Sequence, residues 1–107
     1  MKRGEVRWYT FKAPDKRRPV LVLTRNSSIG VLNAITVAPI TSTIRDVPSE
    51  VLLDENDGLT NECAANLHSL QTVPKANLGP LITTLSGERL REVEEAVRFS
   101  LGFEELV

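Results

Sequence analysis

The sequence predicts a mainly β fold: a small antiparallel barrel or α+β sheet, finished by one amphipathic helix. Three observations carry this. Five short segments rich in β-branched and aromatic residues are separated by turn chemistry. No helical pattern alternates with them, which excludes a βαβ, Rossmann-like winding. One long apolar stripe of helical period is present, and it comes last.

Glu5 to Phe11 reads as the first strand on its Val, Trp, Tyr, Thr and Phe. Lys12 to Arg17 (KAPDKR) is a charged loop holding Pro14 and Asp15. Pro19 suits the opening of a strand and not its middle. Val20-Leu21-Val22-Leu23 then forms an unbroken apolar run, as in a strand buried on both faces. Arg25 to Gly30 (RNSSIG) is turn-like, with room for one helical turn. Asn33 to Ile40 is the third strand, and Pro39 marks its end or a bulge. Thr41 to Pro48 (TSTIRDVP) is a polar loop. Ser49 to Leu53 is the fourth strand, followed by an acidic turn around Asn56-Asp57-Gly58. Cys63 to Val73 (CAANLHSLQTV) reads as the fifth strand, its alternation broken near His68 as a bulge would break it. Lys75 to Leu78 fits a single helical turn. The helix opens at Ser86, a good N-cap, with Glu88 in the first turn where the dipole favours a carboxylate. Leu90, Val93, Val97 and Leu101 make one apolar stripe. Arg91 with Glu95, and Glu94 with Arg98, are spaced as i,i+4 pairs, and Gly102 suits the position after the last turn.

A chain of 107 residues has room for one hydrophobic core, so a single domain over residues 1–107 is expected. Its 41% hydrophobic and 25% charged content is that of a globular chain and not of a disordered one. No apolar run approaches the roughly 20 residues that span a bilayer, and no apolar stretch of signal-peptide type follows Met1. A cytoplasmic protein without membrane contact is the expectation. Cys63 and His68 are each the only residue of their type, which leaves no intramolecular disulfide and no usual zinc site; no metal and no cofactor are expected. The net charge of -1 conceals a polarity. Lys2, Arg3, Arg7, Lys12, Lys16, Arg17, Arg18 and Arg25 crowd the N-terminal quarter, whereas Asp46, Glu50, Asp54, Glu55, Asp57 and Glu62 follow without an intervening base. A basic pole of this kind holds a polyanion or is merely a solvated face.

Three segments contain groups suited to chemistry. In Arg17-Arg18-Pro19, the ring of Pro19 stiffens the base from which Arg18 projects, and a guanidinium fork matches a phosphate; the alternative is a surface arginine at a barrel edge. Thr41-Ser42-Thr43 places hydroxyls after a strand end, where they bind phosphate or simply make a turn. Asn66, His68 and Gln71 are the larger polar groups of the fifth segment, and an imidazole is the side chain that most readily exchanges protons near neutrality, though a lone His in a strand is often structural.

RRPVLVLTRN, TVAPITST and LQTVPKANL, in that order and after the opening GEVRW, resemble the signature stretches of the MazF/PemK family of toxin endoribonucleases. The resemblance runs from about Gly4 into the final helix. It implies an SH3-like barrel with a C-terminal helix, a homodimer, metal-independent cleavage of single-stranded RNA at short sequences to 2′,3′-cyclic phosphate and 5′-hydroxyl ends, and a cognate antitoxin that blocks the RNA groove. The family's catalytic Arg before Pro falls on Arg18, and its catalytic Thr falls on Thr41 with Ser42 beside it. Many members carry a carboxylate and then an Arg in the fifth strand, where this chain has His68 and Gln71. Some have a Glu in the loop before the Arg-Pro pair, where this chain has Asp15.

Cleavage by a neighbouring 2′-OH needs a proton acceptor, a donor for the leaving oxygen and positive charge facing the phosphorane. Arg18 is the expected source of charge and of the donated proton, Thr41 and Ser42 hold phosphate oxygens, and His68 is a candidate base or a reader of a neighbouring nucleotide. Lys16, Arg17, Asn66 and Gln71 are the further RNA-binding candidates. Two rival classes remain: a non-catalytic RNA-binding barrel and an SH3-like protein-interaction barrel. Both call for an aromatic-lined surface, and the aromatic residues amount to Trp8, Tyr9, Phe11, Phe99 and Phe103.

Overall fold

The computed structural model describes residues 1–12 and 16–105, and its strands form one curled antiparallel sheet. β1 (Glu5–Thr10) pairs with β2 (Arg17–Val22), and β2 with β3 (Ala34–Thr41). β4 (Glu50–Leu53) and β5 (Cys63–Asn66) follow, then β6 (Gln71–Pro74) and β7 (Leu81–Thr84). The order across the sheet is β4-β5-β3-β2-β1-β7, with β6 also on β3. The end strands β4 and β7 are not neighbours in that order, so the sheet is a half-barrel. α1 (Asn26–Ile29) is the helical turn expected after β2, and α2 (Gly87–Leu101) is the C-terminal helix.

Two prolines explain how β3 serves three partners. Leu23 donates to the Thr36 carbonyl, so odd-numbered residues of β2 aim their backbone groups at β3, and odd-numbered residues of β3 aim theirs away from β2. Pro19 lies inside β2, contrary to expectation, because its missing N–H points to β3 just before the β2–β3 ladder begins at Val20↔Pro39. Pro39 neither ends β3 nor bulges it. It stands where β3 exchanges one partner for another, between the β6 ladder over Ala34 to Val37 and the β5 ladder at Ile40 and Thr41.

The same switch corrects the fifth strand. Cys63 to Val73 is not continuous: β5 ends at Asn66, a turn takes the chain through Leu67 to Leu70, and β6 begins at Gln71. His68 is therefore a turn residue. β7 follows the Gly79-Pro80 pair and has no clear sequence signal, being four residues long and exposed at both ends. It is held by β1, aided by Trp8 N–H donating to the Pro80 carbonyl.

The run of Val20, Leu21 and Val22 is buried on both faces, as predicted, and each face has its own core. Leu21 joins Val6, Ile40, Leu53, Leu67 and, from α2, Val93 and Ala96. Val20 and Val22 join Ile29, Ile35, Val37 and Val73, with Tyr9 and Phe11 packed alongside. Fully burying a side chain such as Leu21 or Ile35 contributes about 2–3 kcal/mol.

α2 is capped at both ends as the sequence indicates. The Ser86 hydroxyl accepts from the Arg89 N–H, and Gly102 takes the left-handed conformation at φ 71°. Its stripe differs by one residue, for Ala96 is buried and Leu101 is exposed. Neither Arg91–Glu95 nor Glu94–Arg98 pairs among the described residues. The pairing falls instead on Arg89, whose Nε donates to Asp57 Oδ1 at 2.9 Å and whose Nη1 meets Glu92. Asp57 Oδ2 accepts from the Asp54 N–H, so both carboxylate oxygens are used in tying the acidic turn to the helix. Gly58 follows at φ 93°, where a Cβ would lie 2.3 Å from Thr83 Oγ1.

Burial pushes the Asp57 carboxyl up, but the hydrogen bonds from Arg89 and Asp54 and the Arg89 charge outweigh it and hold the group below its ordinary value. A depressed carboxyl stabilises the fold above the unfolded aspartate range, near about 4, and that stabilisation is lost as pH falls through the folded value. Arg89→Ala is expected to lower unfolding free energy by about 2 kcal/mol at neutral pH. The gap between variant and parent should close below about pH 4, measured by urea denaturation across pH.

Candidate functional site

The register places the predicted residues before any side chain is considered. β2 and β3 run Leu21↔Ala38 and Val20↔Pro39, and the same register carried to the strand ends sets Arg18 opposite Thr41. Val37↔Gln71 and Ile40↔Ala65 put Gln71, and Asn66 beyond the β5 ladder, on the face that bears Pro39 and Thr41. Residues directly opposed share a face. Arg18, Thr41, Asn66 and Gln71 thus continue the sheet face whose other half is the Val20, Val22, Ile35 and Val37 core. The apolar half holds the sheet and the polar half faces an open groove.

That groove has a volume of about 410 Å³ and is lined by Phe11, Arg18, Thr41, Arg45, Glu50, Asn66, His68 and Gln71 among others. His68 reaches it from the turn between β5 and β6. Its N–H donates to Asn66 Oδ1 at 3.1 Å, and its Nδ1 lies 2.6 Å from Ser49 Oγ. Leu67, fully buried, donates to the Ser49 carbonyl and accepts from Ser100 Oγ of α2, so the turn is fixed on both sides. Glu50 Oε1 accepts the N–H groups of Arg45 and Asp46, each at 3.0 Å, which holds Asp46 at φ 54°, a conformation that Asp tolerates better than most residues.

A second cleft of about 390 Å³ opens on the opposite face of the sheet and contains Trp8, Lys16, Arg17, Ser42 and Asn61. The Arg17 guanidinium lies 4.5 Å from the centre of the Trp8 ring. Arg18, Thr41 and Thr43 line both clefts, so the two join around the strand ends at the Arg18–Thr41 pair. Arg18 forms no ion pair among the described residues. Thr41 Oγ1 accepts from the Thr43 N–H at 3.1 Å, leaving its hydrogen free to donate.

The structure therefore gathers the eight candidates into two joined clefts: Arg18, Thr41, Asn66, His68 and Gln71 in one, and Lys16, Arg17 and Ser42 with the shared pair in the other. Asp15 lies outside the described residues. Phe11, Trp8, Arg45 and Glu50 carried no signal as site residues in the sequence, because strand register and loop folding bring them to the clefts, and buried Ser49 enters only through its contact with His68. Cys63 borders the second cleft, but burial and the nearby Asp57 and Asp54 push its thiol up, which suits packing and not nucleophilic attack. Among the described residues no group of His, Cys, Asp and Glu is arranged to hold a metal ion.

A family model described as PemK-like, MazF-like toxin of type II toxin–antitoxin system matches residues 2–101. The chain belongs to this family. Among the relatives of this MazF-like chain, Endoribonuclease MazF3 of Mycobacterium tuberculosis is 39% identical over 83 residues, covering 78% of this chain and 81% of the relative. Probable endoribonuclease MazF5 of the same organism is 38% identical over 100 residues, covering 92% and 91%. The solved structure of Mycobacterium tuberculosis toxin MazF-mt6 superposes with a TM-score of 0.84 at 33% identity, over 92% of this chain and 96% of that one. A mycobacterial endoribonuclease in complex with its cognate antitoxin gives the same TM-score at 22% identity, over 95% of both chains, which shows the shared fold.

Trp8 is the one tryptophan of this MazF-like chain, and Arg17 covers it. Arg17→Ala is expected to shift the tryptophan emission maximum while changing stability by less than about 1 kcal/mol, because an exposed cation–π contact is worth about 0.5–1 kcal/mol. Fluorescence and denaturation of the two proteins check both halves.

Proposed function

We propose that the chain is a sequence-specific, metal-independent endoribonuclease that cuts single-stranded RNA. The observation that carries this is the Arg18–Thr41 pair at the meeting point of two clefts, a guanidinium with no ion pair among the described residues opposite a hydroxyl that can donate. Family membership and the shared name of its relatives support the reaction class. Unpaired RNA fits two joined clefts on opposite faces of a sheet end, because its bases splay to either side of the backbone.

In the proposed reaction the 2′-oxygen attacks phosphorus as the 2′-OH gives up its proton. The bond to the 5′-oxygen breaks as that oxygen takes one up, leaving a 2′,3′-cyclic phosphate and a 5′-hydroxyl. Arg18 neutralises the charge that builds on the phosphorane and is assigned as the proton source for the leaving oxygen. Thr41 and Ser42 donate to the non-bridging oxygens. Lys16 and Arg17 hold the flanking phosphates. His68 is either the proton acceptor or a reader of the adjoining base, and its hydrogen bonding distinguishes the two.

The same reading assigns two partners, a second copy of the chain in a homodimer and a cognate antitoxin. Exposed Val31, Leu32, Phe99, Leu101 and Phe103 supply apolar surface for such contacts. Action on cellular RNA supports a cytoplasmic location. A purely RNA-binding or protein-binding barrel is the rival, and cleavage distinguishes it.

Arg18→Ala is expected to cut RNA at least about 10²-fold more slowly, the scale on which one preorganised donor acts. Its stability should stay within about 0.5 kcal/mol of the parent, since Arg18 is exposed. Near-normal cleavage by the folded variant removes Arg18 from the reaction. Cleavage by the parent is expected to survive EDTA and to leave cyclic phosphates. Chelator-sensitive activity, or 5′-phosphate ends, contradicts the mechanism.

A further inference from the structure

We propose that the groove beside Arg18 contains a nucleobase subsite selecting a keto base, uracil or guanine, over an amino base, and that Ser49 and Asn66 set this preference. The proposal rests on the reading of the groove as an RNA site. Its basis is that two internal hydrogen bonds consume the acceptors of the groove's reading groups and leave their donors facing outward.

Asn66 comes first. The atom that meets the His68 backbone N–H at 3.1 Å has to be the amide oxygen, since an N–H only donates. This fixes which way the amide points. Its NH₂ has no partner among the described residues, and Asn66 lines the groove. Asn66 therefore offers the groove a donor.

His68 follows by the same logic. Ser49 is 6% exposed, and its hydroxyl has His68 Nδ1, at 2.6 Å, as its one hydrogen-bond partner among the described residues. A buried hydroxyl with one partner leaves its own hydrogen unsatisfied unless it donates to that partner, so we assign the Ser49 hydrogen to Nδ1 and the neutral ring's hydrogen to Nε2. The Leu67 contacts to Ser49 and Ser100 prevent the turn from drifting away from this arrangement. His68 thus presents an N–H to the groove and lacks the outward lone pair that a general base needs.

The neighbouring groups do not restore an acceptor of equal strength. Arg18 and Arg45 only donate. Glu50 engages Oε1 with the loop N–H groups, and its Oε2 is shielded from solvent. Gln71, Ser69 and Thr43 both donate and accept, so they accommodate either edge. Phe11 provides a face on which the base stacks. A base with O4, or with O6 and N7, satisfies the two outward donors, whereas the amino group of cytosine or adenine opposes them with its own N–H groups.

The test sequences the 5′-hydroxyl ends produced from a randomised single-stranded RNA pool, with ring-nitrogen NMR of His68 on the free protein. The parent is expected to prefer uracil or guanine by about tenfold or more at one position flanking the cut. Asn66→Asp keeps an oxygen toward the His68 N–H and replaces the outward donor with an acceptor, so preference at that position should pass to cytosine or adenine. Ser49→Ala should weaken the preference several-fold and let both neutral forms of the imidazole appear in the spectrum, where the parent shows Nε2–H alone. His68→Gln should alter the word that is cut while the pH–rate profile keeps its shape. A parent that cuts RNA without keto preference, an unchanged word in Asn66→Asp, or a parent imidazole protonated at Nδ1 each overturns the proposal while sparing the endoribonuclease reading. Failure of the parent to cut any RNA overturns both.

Discussion

β3 cannot keep one partner along its length, and the groove exists because of that. Pro39 has no N–H to offer on the side away from β2, so the ladder there is interrupted and β6 and β5 share the edge between them. The chain joining those two strands must leave the sheet at Leu67 and return at Gln71. A continuous strand over this stretch would have buried or exposed His68 according to parity. The interruption swings it outward over the sheet face instead. Arg18 and Thr41 stand at the same end of the sheet because the β2–β3 register aligns them, and Pro19 frees the first part of β2 from β3.

The sheet has two cores, and this division decides where chemistry is possible. β2 commits its second half, Val20 to Val22, to packing on both faces, which leaves Arg17 to Pro19 at its start to reach the clefts. Reactive groups therefore gather at strand ends and in the loops beyond them, on a support that is stiff where it is packed. The similarity to solved toxins at a TM-score of 0.84 with 33% identity fits this: the packed middle constrains the backbone, and the ends are free to differ. His68 and Gln71 lie beyond that packed part, in the turn after β5 and at the start of β6.

Most of the fold was legible because its signals are local. The helix caps at Ser86 and Gly102, the doubly buried run after Pro19 and the loop after Thr41 all follow from residue type and spacing, and the structure has each of them. The division between β5 and β6 was not legible, since it depends on which partner strand each residue meets and only the broken alternation near His68 hinted at it. β7 is a strand because β1 offers an edge, not because LITT demands one. Arg89 pairs with Asp57, thirty-two positions away in the chain, so helical spacing pointed to the wrong partners. In the candidate site, the family stretches pointed to Arg18 and Thr41, which the register sets opposite each other, but Ser49, Glu50 and Trp8 enter through register and loop folding, which a linear pattern does not encode.

The two prolines also determine what the open end of the sheet rejects. A strand end with free N–H and C=O groups is a template for another extended chain, and proteins blunt such edges to avoid fibre-like association. Here the unpaired part of β2 lacks one donor at Pro19, and the neighbouring stretch of β3 lacks another at Pro39. A polypeptide laid into this end would find gaps in the ladder it tries to build. This end of the sheet is thus blunted against edge-to-edge strand pairing by the atoms it leaves out.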